Sequence, residues 1–417
     1  MRMRAQEESG SPRPAVALGV SGSIAAYKSV ELASRLTQAG VDVHVLMTGN
    51  ATRLVAPLTF MTVSRFPVTV DLWEIDNWRP QHVALAELVD LLLVAPATAN
   101  FLGKLAGGIA DDALSTFALS FDGPVMVAPA MNPRMWAHPA VRDNCRRLAE
   151  RGVRFVGPEP GRVACGDLEE AGRMSEPPVI LRAVSAALRV LGEKVSESPR
   201  RRILVTAGPT VEPLDPVRFV GNRSSGRMGY AVAECAVAAG HEVTLISGPA
   251  QLPRPAGCRF IPVNTAEEMA RATREQFANA DLLVMAAAVA DYRPAATSPQ
   301  KIKKEGSPEQ MLRLVETEDI LRSLAAGKRQ SQVIVGFAAE TENLAANALA
   351  KLRRKKLDWL VANDVSRTDV GFASQDNEAT LYGADGSCRE LARADKQTLA
   401  ARILARVLRG KPKPLNP

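Results

Sequence analysis

The order strand, small-residue loop, amphipathic helix, glycine stop, strand is written twice in this chain, and it constrains the fold more than any other feature. From Pro14 it runs AVALGV, the loop SGS, a helix over 24–39, a stop at Gly40, then VDVHVLM. It returns as RILVTA, a Gly- and Ser-rich loop, a helix through Ala239, a stop at Gly240, then HEVTLIS. Near-continuous apolar strands joined by helical crossovers are the mark of parallel sheets covered on both faces. The fold class is therefore α/β, with two consecutive Rossmann-like units, each a doubly wound sheet.

Strands at 91–95, 125–128 and 153–156, with helices between them such as one over 137–151, continue the first unit. A helix over 178–191 leads into GEKVSESPRRR, a polar run that builds no core and reads as a linker. The expected organisation is a disordered arm over 1–13, a first domain over 14–195, a second over 196–410 and a tail over 411–417. In the second domain strands fit 282–287, 333–337 and 359–362, with helices around 266–278 and 343–356. A hairpin beginning at 379–382 and a closing helix over 396–408 complete it.

Several function classes drop out. The longest apolar stretches, such as 91–95 and 282–289, fall short of the roughly 18 residues of a membrane span. The start, MRMRAQEESGSPRP, has no apolar stretch of a signal peptide, so the cytoplasm is the expected compartment. Five Cys, at 145, 165, 235, 258 and 388, form no CxxC pair and are expected to be free thiols. Lys and Arg number 20 against 21 Asp and Glu before Pro199, and 32 against 24 after it. Six of the surplus cations are Arg200, Arg201, Arg202, Arg409, Lys411 and Lys413, in the linker and tail, so the second fold is near balance. With aromatics at 5% and no recognition motif, nucleic acid is not an expected partner.

Gly19 and Gly22 lack the G-x-G-x-x-G spacing, and Gly221 to Gly226 has Walker spacing but is followed by Arg227 and Met228. NAD and P-loop readings weaken, and each turn alone reads equally as a tight turn. A set of segments says more: GSIAAYK from Gly22, Thr48, APATAN from Ala95, PAMNPRMW from Pro129 and ACGD from Ala164. All fall at or just after strand ends, where open α/β sheets bind ligands. Hydroxyls with small neighbours suit a phosphate and a flat ring. Taken singly, His82 of QHVALAELVD reads as a cap or surface residue, Asn132 as a turn residue before Pro133, and Cys165 as an inert thiol.

In this order the five segments resemble the flavin-dependent cysteine decarboxylases, in particular the phosphopantothenoylcysteine decarboxylase half of bacterial bifunctional coenzyme A enzymes. The resemblance implies FMN, held by Gly22, Ser23, Thr48, Pro96, Ala97, Thr98 and Asn100. It also implies that His82 lies beside the flavin, that Asn132 orients the substrate carboxylate and that Cys165 donates a proton. The chemistry is coherent: oxidising the substrate thiol to a thioaldehyde lets CO₂ leave, and the enethiol formed needs a proton as electrons return.

A second set follows: TAGPTVEPLDPVRFVGNRSSGRMG from Thr206, AAAVADYRP from Ala286, KIKK from Lys301, GFAAET from Gly336, KLRRKK from Lys351 and AND from Ala362. It resembles the CTP-dependent bacterial phosphopantothenate–cysteine ligases. Asp291, Lys301, Glu318, Asp319, Ile320, Leu321, Phe337, Lys351 and Lys355 are the implied CTP-binding positions, and Asn222 and Arg218 the residues that handle an acyl-cytidylate. Arg353, Arg354 and Lys356 read as surface charge. Nucleotidyl transfer needs charge neutralisation, so Mg²⁺ is expected, with no ligands assigned. Pro209 stands where the family often has Gly, which removes an N–H donor, and Arg227 where it often has Lys.

The implied function is two steps of coenzyme A biosynthesis. CTP-dependent ligation joins 4′-phosphopantothenate to L-cysteine, releasing CMP and pyrophosphate, and FMN-dependent decarboxylation then gives 4′-phosphopantetheine. The resemblance also implies a homo-oligomer with trimeric decarboxylase and dimeric ligase contacts. Two rivals are another flavoprotein of the same fold and a non-enzymatic regulator. The fused ligase segments weigh against the first, and His82, Asn132 and Cys165 against the second.

Overall fold

The computed structural model describes residues 13–71, 81–161, 170–193, 195, 199–303, 311–340, 344–364 and 376–412. The arm before Arg13, Cys165 and the tail from Lys413 lie outside the described residues. The chain divides into two compact units, Met1–Leu188 and Arg189–Pro417.

The first unit opens with β1 (Ala15–Val20), α1 (Ala26–Gln38), β2 (Asp42–Met47), α2 (Gly49–Thr52), α3 (Pro57–Ser64) and β3 (Val68–Thr69). It continues with α4 (Gln81–Leu88), β4 (Leu91–Ala97), α5 (Ala99–Gly107), α6 (Ala113–Ser120), β5 (Val125–Pro129), α7 (Pro133–Ala137), α8 (Pro139–Glu150) and β6 (Arg154–Phe155). A ribbon of β7 (Glu159–Pro160) and β8 (Ala171–Arg173) precedes α9 (Pro177–Gly192), which contains the division between the units. The sheet order is β3-β2-β1-β4-β5-β6, with every pair parallel. Every residue of β1 and β4 is buried, as a central parallel strand requires. Leu92, Val94, Phe101, Leu114, Phe117 and Leu148 pack in its core.

The second unit carries β9 (Arg202–Ala207), β10 (Val211–Pro213), β11 (Phe219–Gly221), α10 (Arg227–Ala238), β12 (Glu242–Ser247), β13 (Arg259–Pro262) and α11 (Ala266–Phe277). Then come β14 (Leu282–Met285), β15 (Tyr292–Pro294), β16 (Leu314–Glu316), α12 (Ile320–Gly327), β17 (Val333–Glu340) and α13 (Leu344–Arg354). The last elements are β18 (Trp359–Asp364), β19 (Asp376–Gly383), β20 (Cys388–Asp395) and α14 (Lys396–Val407). Its sheet runs β13-β12-β9-β14-β17-β18-β19-β20. The strands are parallel from β13 through β18, and the expected late hairpin extends the edge as the antiparallel pair β19–β20.

Both glycine stops have one cause. The N–H of Gly40 donates to Thr37 O at 3.0 Å and that of Val41 to Leu36 O at 3.1 Å, closing α1 with Gly40 at φ +79°. At the end of α10 the N–H of Gly240 reaches Val237 O at 2.9 Å and that of His241 reaches Ala236 O at 3.1 Å, with Gly240 at φ +85°. Each is a Schellman closure, which needs the left-handed conformation glycine adopts without cost.

Two expectations change. The helix expected over 137–151 forms as α8 but starts two residues later, because Pro139 opens it and the residue before a proline is pushed out of helical geometry. His138 accordingly sits extended, ending α7 and capping α8 with its ring nitrogen on the Ala140 N–H at 3.2 Å. The ribbons β7–β8, β10–β11 and β15–β16 were not expected, since strands of two or three residues carry no readable period.

Candidate active sites

In the first unit the strand order reverses between β1 and β4, and the crevice there lies at the carboxyl ends of the strands. Ser21 sews it shut at its base. Its hydroxyl, 1% exposed, donates to Pro96 O at 2.7 Å and accepts the Thr98 N–H at 3.0 Å. Ser29 of α1 adds a buried bond to Ala95 O at 2.7 Å. Thr48 and Thr98 cap α2 and α5, accepting the N–H groups of Ala51 and Phe101 at 3.3 Å each.

Above this base lies a cavity of about 530 Å³ lined by Gly22, Ser23, Thr48, Thr98 and Asn100, five of the seven expected flavin-binding residues. Ala97 is buried in β4, and Pro96 serves as Ser21's acceptor. Ser21, Asn50, Phe101, Met131 and Met135 also line the cavity, with no sequence signal that marks them as binding residues. Gly22 makes room for the wall: a Cβ there would stand 2.5 Å from Asn50 Cβ. A lining that joins the hydroxyls of Ser23, Thr48 and Thr98 to the apolar side chains of Phe101, Met131 and Met135 fits a group with a phosphate and a flat ring system.

Lys104, also in the lining, pairs with Asp111 at 2.6 Å and Asp112 at 2.8 Å. Burial alone would lower its pKa, but the two carboxylates together outweigh that and raise it. It is a charged group already neutralised. Asn132 opens α7 and accepts the Arg134 N–H at 2.9 Å. Gly172 O of β8 accepts the Met131 N–H at 3.0 Å, so the ribbon base docks beside this turn. His82 falls in α4, and its side chain lies outside the described residues, as does Cys165.

In the second unit the loop after β14 is held by three threonines. Ala287 N–H donates to Thr206 Oγ1 at 3.3 Å and Ala290 N–H to Thr210 Oγ1 at 2.9 Å, while Thr317 Oγ1 donates to Ala290 O at 2.6 Å. This loop borders a cavity of about 560 Å³. Asp291, Glu318, Asp319, Ile320, Leu321, Phe337, Lys351 and Lys355 line it, eight of the nine expected nucleotide positions, brought together from three loops and the three elements α12, β17 and α13.

Lys301 is not part of that lining; it is exposed on the segment after β15. Arg354, expected to be surface charge, does line the cavity, because it follows Lys351 by three residues and shares its helix face. Glu318 is held below the usual carboxylate range, first by Arg274 and then by the Ser323 hydroxyl. Asp319 caps α12 through the Arg322 N–H at 3.2 Å. The cavity so holds carboxylates and cations side by side, as suits a nucleoside with its phosphates.

Asn222 donates from Nδ2 to Val289 O at 2.9 Å, which ties the Gly-rich turn to the loop after β14. Arg218 pairs with buried Asp215, Nη2 to Oδ2 at 3.0 Å. Burial would raise the Asp215 pKa, but the N–H groups of Val217, Ile302 and Arg218, with the Arg218 charge, hold it low.

A family model described as Flavoprotein matches residues 4–189, and one described as DNA/pantothenate metabolism flavoprotein C-terminal domain matches residues 199–410. The chain is 44% identical over 395 residues to the Coenzyme A biosynthesis bifunctional protein CoaBC of Bacillus subtilis (strain 168), covering 94% of this chain and 96% of that one. A Cysteine/Cysteine sulfinic acid decarboxylase from an unknown prokaryotic organism is 42% identical over 359 residues, 85% of this chain and 99% of that protein. Among solved structures, the C-terminal domain of the Coenzyme A biosynthesis bifunctional protein CoaBC is 40% identical. It matches with a TM-score of 0.43 over 50% of this chain and 94% of that one.

Proposed function

The chain belongs to the family of coenzyme A biosynthesis bifunctional proteins, and from that premise we propose how its two cavities divide the work. It is a bifunctional enzyme that ligates 4′-phosphopantothenate to cysteine and decarboxylates the product to 4′-phosphopantetheine. The ligase and the decarboxylase are the second and first units. The observation that carries the assignment of sites is the convergence, on one cavity in each unit, of residues scattered along the sequence.

In the decarboxylase, Gly22, Ser23, Thr48, Thr98 and Asn100 hold FMN, with Asn50 as the wall that Gly22 admits. Bound FMN supplies the electron sink that a β-thiol acid lacks. Asn132, at the start of α7, orients the substrate carboxylate, His82 stands beside the flavin and Cys165 returns a proton to the enethiol carbon.

In the ligase, Lys351, Arg354 and Lys355 take the phosphates of CTP, while Asp291, Asp319 and Phe337 position its nucleoside. Lys301 compensates the charge that builds as the pantothenate carboxylate displaces pyrophosphate, and Asn222 and Arg218 hold the acyl-cytidylate for attack by the cysteine amine. Among the described residues no group of three or more His, Cys, Asp or Glu is arranged to hold a metal. Mg²⁺ enters with the nucleotide phosphates, its usual manner of binding. The working form is a homo-oligomer with trimeric decarboxylase and dimeric ligase contacts. The linker between the domains is placed near residue 196, after α9, a few residues beyond the division of the compact units at Leu188. Among the described residues no helix is long and apolar enough to cross a membrane.

The test is mass-spectrometric product analysis with phosphopantothenate, cysteine, CTP and Mg²⁺, with ATP replacing CTP in a parallel run. Phosphopantetheine, CO₂, CMP and pyrophosphate are expected. Equal yield with ATP would remove the CTP assignment, and CO₂ from free cysteine without nucleotide would favour the cysteine decarboxylase reading instead.

A further inference from the structure

We infer that Asp215 and Arg218 form a clamp on Ile302 that sets the position of Lys301. This deepens the ligase reading and rests on Lys301 serving that reaction. Asp215 has a fully enclosed side chain, yet every one of its contacts is an N–H donor. Oδ1 accepts the N–H groups of Val217 and Arg218, both at 2.8 Å. Oδ2 accepts Arg218 Nε and the Ile302 N–H, both at 3.1 Å. Arg218 Nη2 in turn donates to Ile302 O.

Ile302 is therefore gripped on both sides by a pair more than 80 residues earlier in the chain. The N–H that Asp215 accepts belongs to the peptide unit Ile302 shares with Lys301. Two further bonds lay the same segment against the turn: Thr297 Oγ1 donates to Pro213 O at 3.1 Å and Ser298 N–H to Leu214 O at 2.9 Å.

The chemistry separates this role from a direct one. With both oxygens occupied by donors, the carboxylate has no lone pair to spare as a base for substrate. Arg218 has committed Nε and Nη2, which leaves Nη1 to face a ligand. Lys301 is exposed on a long flexible stem, and its ammonium cannot be placed unless its backbone is fixed first.

The deciding variant is Asp215→Asn in the full chain. One amide oxygen can still accept from the turn, but the amide nitrogen then opposes the Ile302 N–H and the guanidinium, donor against donor. Pyrophosphate release from CTP and phosphopantothenate with Mg²⁺, cysteine omitted, should slow roughly ten- to a hundredfold, the scale of losses from about 1 Å of misplacement. Decarboxylation of phosphopantothenoylcysteine by the same molecules should be unchanged, which shows that the loss is local. Combined with Lys301→Gln, the variant should add no further loss, because both act through one ammonium.

A second variant, Arg218→Lys, keeps a charge beside Asp215 but cannot reach both it and Ile302 O. It should slow pyrophosphate release more than Asp215→Asn does, because Arg218 also faces the acyl-cytidylate, and only the part shared with Lys301→Gln belongs to the clamp. Additive losses of Asp215→Asn and Lys301→Gln would overturn the clamp, as would a normal rate in Asp215→Asn beside a lost rate in Lys301→Gln. An unchanged rate in Lys301→Gln alone would instead sink the ligase lysine, and the clamp's purpose with it.

Discussion

Lys355 Nζ stands 3.0 Å from Asp319 Oδ1 in the lining of the second-unit cavity. The carboxylate that caps α12 thus already compensates one of the cations proposed to meet a triphosphate. Arg354 beside it makes no ion pair among the described residues. A phosphate gains more from an uncompensated guanidinium than from an ammonium that must first leave its partner.

Arg354→Ala should therefore raise the KM for CTP about tenfold, within the range of a lost hydrogen bond to a charged group. Lys355→Gln should cost less, and Arg353→Ala, exposed on the same helix outside the cavity, should cost nothing measurable. Steady-state kinetics of CMP release would decide it, and equal effects at Arg353 and Arg354 would refute the assignment.

Gly22→Ala tests the flavin cavity. Its Cβ would stand 2.5 Å from Asn50 Cβ, so the turn bearing Thr48 must shift. FMN should bind at least roughly tenfold more weakly, read by quenching of flavin fluorescence on titration, while CMP release stays intact. Undiminished FMN affinity would remove Gly22 from the site.

His241 predicts an acid limb in the stability of the second unit. Burial first, and then the Arg201 charge, pull its pKa down to about 4, and its Nδ1 accepts the Arg201 N–H at 3.3 Å. Below about pH 6.5 the unfolded chain binds a proton that the folded chain refuses. Stability is complete above that pH and is lost progressively as pH falls toward 4. The urea midpoint should drop more between pH 7 and pH 5 in the parent than in His241→Asn, and equal drops would contradict this.

Lys356 occupies, at φ +48°, the place that Gly40 and Gly240 hold in the other two closures described above. Its N–H reaches Arg353 O at 3.2 Å and that of Leu357 reaches Leu352 O at 3.1 Å. Lys356→Gly should stabilise the second unit by about 1 kcal/mol, the usual cost of the left-handed conformation for a residue with a Cβ. A lowered thermal midpoint would show that the Lys328 to Lys356 O bond at 3.2 Å needs more than the backbone.

The two parallel sheets, their central strands and both glycine stops were legible because each rests on a local signal: apolar runs of strand length, helical spacing of buried residues, and glycine where a helix must end left-handed. Motif resemblance picked out the residues proposed for flavin and nucleotide, and the folded chain places most of them along one cavity in each unit. Long-range contacts were not legible. Nothing near Asn50 marks it as the neighbour of Gly22, and nothing near Arg354 separates it from Arg353 except which face of α13 meets the cavity. Asp215 has no sequence signal at all for Ile302, because a carboxylate's donors are chosen by the turn and strap that bring them together. Sequence alone determined which elements form and which residue types they carry; tertiary packing decided which of those residues share a cavity, which carboxylate stands beside which cation, and which peptide holds Lys301.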